Sequence, residues 1–184
     1  MFLLDEQQTV RPSEIGTVFH IKESAKRLGA ETIEIDLNGQ FRAGGSEAYL
    51  YWVQRLLGLV EGGPILWEPE ERFHLSTCET PQDMEQWTLS MDSQGYSSRM
   101  TAGFCWKWSK PHDGTLVDDI VIDNWSKPWN SKSEKKIPGV PFSSLWASEP
   151  GGINQVGCIY TAQGFEYDYG AVIIGPDMVW RNGA

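Results

Sequence analysis

Gln155-Val156-Gly157-Cys158-Ile159-Tyr160-Thr161-Ala162-Gln163-Gly164-Phe165-Glu166-Tyr167-Asp168, followed closely by Ala171-Val172-Ile173-Ile174, is the stretch that decides the fold class. It reads as a short apolar strand, a polar turn built on Ala-Gln-Gly-Phe-Glu, and a second strand. Its polar groups are bunched at the carboxyl end of the first strand. In open α/β sheets, ligands sit at such ends.

Outward from this block, strands and helices alternate. Phe2-Leu3-Leu4 reads as a short strand ending in Asp5-Glu6-Gln7-Gln8. Residues 13–28 read as a helix, with Val18, Ile21, Ala25 and Leu28 on one face and Gly29 as its stop. Thr32-Ile33-Glu34-Ile35-Asp36-Leu37 alternates as a strand does. Ser46 can cap a helix carrying Leu50, Val53, Leu57 and Val60. Thr80-Pro81-Gln82-Asp83 is a helix start, with a cap, proline at the first position and an acid in the first turn. Residues 101–108 and 116–122 read as strands. Residues 123–153, rich in Ser, Lys, Pro and Gly with interspersed Trp, read as a long irregular insertion. The alternation predicts an α/β domain with a mainly parallel sheet.

Composition narrows the function classes. The chain has 184 residues and is 40% hydrophobic, enough for one domain of ordinary size or one plus a fragment. No apolar run approaches membrane-spanning length, and the first residues lack a basic n-region. Cys78, Cys105 and Cys158 are widely spaced and odd in number, which argues against a disulfide framework or a zinc site and suits a reducing cytoplasm. His20, His74 and His112 show no metal-ligand spacing. A formal charge of −10 disfavours tight nucleic-acid binding by the chain alone.

Three places carry candidate chemistry. Asp5-Glu6-Gln7-Gln8 could hold Mg²⁺ through water and read a γ-phosphate, or could be a polar strand end before a turn at Arg11-Pro12. Gln40-Phe41-Arg42 lies just beyond a strand. Its arginine can offer a bidentate fork to a phosphate, or can form a surface ion pair. In residues 160–166, Gly164 permits a tight turn, Glu166 can accept from a ribose hydroxyl, and Tyr160 offers a stacking face; the plain alternative is a structural turn with a solvated Glu.

Taken together, the order and spacing of these places resemble the second half of a superfamily 1 DNA/RNA helicase motor, specifically the Schlafen-type (group 3) helicase family. The stretches that fit are Leu4-Asp5-Glu6-Gln7-Gln8 followed by Arg11-Pro12-Ser13-Glu14-Ile15-Gly16; Leu37-Asn38-Gly39-Gln40-Phe41-Arg42 with Gly45-Ser46 and Tyr49-Leu50; Ala102-Gly103-Phe104-Cys105-Trp106-Lys107-Trp108-Ser109; and residues 154–175. The resemblance covers nearly the whole chain. It implies a RecA-like fold, the second domain of a P-loop NTPase helicase, over residues 31–184. Residues 1–30 would be the tail of the first RecA-like domain.

The roles follow from the resemblance. Gln8 matches the γ-phosphate sensor of the third motif and Arg42 the arginine finger of the fourth, with Gln40 beside it. Gly164 and Glu166 match the nucleotide side of the fifth motif, which couples nucleotide to nucleic acid; Tyr160, Thr161 and Gln163 match its nucleic-acid side. Tyr160 stands where many relatives have His. Asp5-Glu6 also looks like the acid pair of the second motif, which would make them metal ligand and water activator. The implied ligands of the full motor are ATP with Mg²⁺ and single-stranded nucleic acid.

No Gly-x-x-x-x-Gly-Lys-Ser/Thr occurs in the chain, and no sixth motif precedes Ala184. The chain alone is therefore expected to bind nucleotide weakly and not to turn ATP over, its partner being a missing N-terminal ATPase half. Two other classes compete: a degenerate ATPase remnant acting as an interaction domain, and a Trp-rich carbohydrate-binding β-module. Trp106, Trp108, Trp125, Trp129 and Trp146 feed the second idea, though core packing is the ordinary use of such residues.

Overall fold

The computed structural model describes residues 2–4, 16–36 and 43–181. Gln8, Gln40, Arg42 and the Asp5-Glu6 pair lie outside the described residues. The chain forms two compact units, residues 1–40 and 41–184.

In the first unit, helix α1 spans Val18–Arg27. Thr17 caps it, its hydroxyl accepting from the His20 N–H at 3.2 Å. Lys26 and Arg27 sit in the last turn, where cations favour the helix dipole. Gly29, at φ +67°, provides the left-handed stop. Lys22 pairs with Glu34. Residues 2–4, an apolar run, and residues 32–36, an alternating one, read as strands but form none among the described residues, and Ile33 and Ile35 are exposed. Alternation presents a face, but a strand needs a neighbouring edge to satisfy its backbone.

The second unit opens with helix α2, Glu47–Leu56, capped by Ser46, whose hydroxyl accepts from the Tyr49 N–H at 2.9 Å. Tyr49, Trp52, Trp67 and Phe73 pack ring against ring beside it. Helix α3, Pro81–Ser93, starts at Thr80 as expected, with proline in the first turn.

Strands β1 (Ser98–Ala102), β4 (Val156–Cys158) and β5 (Tyr169–Ile173) form a parallel sheet in the order β4-β1-β5. Between them lies a two-stranded antiparallel hairpin, β2 (Ile120–Ile122) and β3 (Trp125–Lys127). The fold class is thus α/β with a parallel sheet, consistent with a RecA-like domain and unlike a β-module. Met100, Ala102, Ile120, Trp125, Trp129, Val156, Cys158, Ala171 and Ile173 make the core.

Other readings change too: α2 stops at Leu56, short of Val60. β1 begins before Thr101 and leaves the sheet at Gly103, so residues 103–108 are a loop. The polar start of β1 hid it, because Arg99 is buried. Of residues 116–122 only Ile120–Ile122 pair as a strand. The insertion at 123–153 is tied down. Residues 128–130 run parallel to β4, with Val156 N–H donating to Pro128 O and Asn130 N–H donating to Val156 O. They cover the outer edge of β4, which would otherwise expose unpaired backbone groups.

Candidate functional site

Because β4 and β5 are parallel and flank β1, the segment 159–168 is a crossover rather than a hairpin turn. It starts at the carboxyl end of β4 and must return to the start of β5. Its first residues form a short helix α4, Ile159–Ala162. Ala102 pairs with Cys158, so the chain leaves β1 and β4 side by side. Residues 103–108 and 159–163 therefore share the end of the sheet at which α/β folds bind ligands.

Two kinds of side chain meet there. Phe104 and Tyr160 are each about half exposed, 49% and 47%, with ring centroids 5.9 Å apart. Phe104 continues to Trp108 at 6.1 Å, and both rest on the buried Trp129, at 6.2 and 5.7 Å. The Lys132 ammonium lies 5.0 Å from the Trp108 ring centroid and donates to the Trp108 carbonyl. Trp129 is fixed in turn by its indole N–H, which donates to Lys107 O at 2.8 Å.

Beside the rings is a buried polar network. Asn130 accepts from the Cys158 N–H at 2.9 Å, and its amide donates to Thr161 Oγ1 and Ser143 Oγ, each at 3.1 Å. Thr161 is thus held by structure, while Tyr160, one residue earlier, turns to solvent. Gln163 ends α4, its N–H donating to Ile159 O at 3.1 Å. Gly164 has φ +94° with open space where a Cβ would stand. Glu166 is exposed. Burial pushes the Cys105 and Cys158 thiols up, Asp177 adding to the effect at Cys105, so neither is poised as a nucleophile.

The crossover is anchored where it returns to β5. Asp168 accepts from the Ser97 N–H at 2.8 Å and from its hydroxyl at 2.7 Å, and these bonds hold the Asp168 carboxyl below its usual value. Tyr167 packs edge-on against Trp146, and burial raises its phenol to about 12 despite the opposing Arg99 charge. Arg99 ties the insertion to β1: it donates to Trp146 O at 3.2 Å, Glu149 O at 3.0 Å and Ser98 O at 2.7 Å, and pairs with Asp92 at 3.2 Å.

A separate hollow of about 380 Å³ opens at the start of α2, lined by Gly45, Ser46, Glu47, Ala48, Glu70 and Arg72. The structure therefore brings Tyr160 and Thr161 together with Phe104, Asn130 and Lys132, none of which sequence reasoning assigned to a site. Only Phe104 had a signal, in the Gly-Phe-Cys-Trp-Lys-Trp stretch.

No helix among the described residues is long and apolar enough to cross a membrane. A family model described as Schlafen group 3, DNA/RNA helicase domain, matches residues 1–184. No curated protein and no solved structure matches the chain significantly.

Proposed function

This chain belongs to the Schlafen group 3 DNA/RNA helicase domain family, and from that premise we propose that it is part of an ATP-dependent, cytoplasmic helicase-like motor. In this reading it supplies the γ-phosphate sensor Gln8, the arginine finger Arg42 with Gln40 beside it, and the coupling motif at 160–166. A partner half carrying the phosphate cradle supplies the rest of the ATP and Mg²⁺ site, since phosphoryl transfer depends on several parts positioned at once.

One observation carries the reading furthest: α4 leaves the carboxyl end of a parallel strand and presents a half-exposed Tyr160 there. On the nucleotide side, Gly164 makes the turn and the exposed carboxylate of Glu166 is available to accept from a ribose hydroxyl. Tyr160 and Gln163 face nucleic acid, and Thr161 acts by holding the turn.

The test is ATP turnover by the complete motor with and without single-stranded nucleic acid. Arg42→Ala should lower turnover by about 10³-fold or more, because a finger at developing phosphoryl charge acts mainly in the transition state. Affinity for single-stranded nucleic acid should stay near the wild-type value. Wild-type turnover in the Arg42→Ala motor would sink the proposal.

A further inference from the structure

The rings at the carboxyl end of the sheet form a continuous row with a cation at one end: Tyr160, Phe104, Trp108, then Lys132. Its outer members are not stray surface aromatics. Phe104 and Trp108 are seated on the buried Trp129, which is 1% exposed, so their positions are set before any ligand arrives. Such pre-positioning lowers the ordering cost of binding.

Charge separates this surface from the rest of the chain. The segments that build it, residues 104–110, 129–136 and 158–165, hold five lysines and one glutamate, a net charge of +4 in a chain of net charge −10. Of the carboxylates next to these segments, Asp119 and Asp177 face them, and Glu166, just past the last one, is exposed. Asp119 accepts from the Ser109 N–H at 2.6 Å and its hydroxyl at 2.8 Å, and Asp177 lies beside the Cys105 thiol, which it helps to hold protonated. Half-exposed rings beside a lysine-rich border suit a polyanion that carries flat apolar groups, which is single-stranded nucleic acid. A neutral sugar would use the rings but gain nothing from the lysines.

The geometry points to Phe104 as a base-stacking residue paired with Tyr160, with Lys132 at the Trp108 end contacting the strand's phosphates. This rests on the reading of Tyr160 as nucleic-acid facing, and adds a second ring and a cation that the helicase motifs do not assign. Phe104 lies on the loop after β1, whereas Tyr160 lies after β4, so two separate strand ends would grip one strand.

The experiment is fluorescence anisotropy of the full chain with fluorescein-labelled oligo(dT) and oligo(U) across a salt series. Phe104→Ala and Tyr160→Ala should each raise Kd by about 5- to 150-fold, the loss of one stacked base, while Phe104→Trp keeps wild-type affinity. Lys132→Gln should flatten the slope of log Kd against log salt by about 0.7, the release from one single-strand phosphate. Thermal melts establish that the variants fold. If Tyr160→Ala weakens binding and Phe104→Ala does not, the inference is overturned and the reading of Tyr160 survives. If the wild-type chain binds neither oligonucleotide, or neither ring matters, both fail. Displacement of the oligonucleotide by a neutral oligosaccharide would also overturn the inference.

Discussion

Tyr160 and Thr161 leave the same strand end, and their surroundings differ as much as two neighbours can. The Tyr160 ring lies half in solvent against Phe104, touching the protein on one side. The Thr161 hydroxyl is held by Asn130, a residue with no exposure that also secures the Cys158 N–H. Phe104 and Tyr160 keep about half of their surface in solvent, while Asn130 spends both its carbonyl and its amide on protein partners. A binding surface needs groups whose partners are still water, and a scaffold needs groups whose partners are already protein. One turn of helix supplies both because successive residues point about 100° apart.

If that division holds, substitutions on the scaffold side cost stability, and those on the ring side cost little. The largest effect is expected from Arg99→Ala, which strands the carbonyls of Trp146 and Glu149 and opens a buried space. Chemical denaturation should show a loss of about 3–4 kcal/mol. Gly157→Ala should cost about 3 kcal/mol by the same measurement, because a Cβ on β4 would run into the Trp146 ring in a fully buried place. A near-neutral result for either would break the picture of an insertion locked onto the sheet.

Asn130→Ala should cost about 2 kcal/mol by leaving the Cys158 N–H without a partner, and amide exchange at Cys158 should accelerate. Asp168→Asn should act through pH. The Asp168 carboxyl is held below its usual value by Ser97, so its stabilisation is present above the unfolded value and lost as pH falls through the folded one. The variant should therefore melt below wild type at neutral pH, and the two curves should converge on acidification below about pH 4. The smallest effect is expected from Tyr160→Ala, within about 0.5 kcal/mol. A Tyr160→Ala loss as large as that of Asn130→Ala would sharpen the comparison the other way, making the ring row part of the scaffold.

Local signals were enough for several elements. Ser46 and Thr80 cap their helices, as Ser and Thr before helical runs do, whereas the cap of α1 is Thr17, inside the stretch that reads as helix. The apolar runs flanking the 159–168 segment became β4 and β5, and the strand–helix alternation announced a parallel α/β sheet. Trp125, Trp129 and Trp146 are core residues, each with its indole N–H satisfied, as their bulk implies. The helicase family was legible from motif order across residues 1–184.

What the sequence determined by itself is whatever depends on neighbours along the chain: caps, helix faces, apolar runs and the order of motifs. Only the tertiary structure decided the rest. Arg99 reads as a surface residue until the carbonyls of residues 146 and 149, about fifty positions away, accept its hydrogen bonds. Residues 32–36 alternate like a strand yet join no strand ladder among the described residues, since strand pairing is a property of two segments. Phe104 joins Tyr160 only because β1 and β4 lie side by side in register, Ala102 opposite Cys158. Burial and juxtaposition arise between segments distant in sequence, so no local pattern can encode them alone.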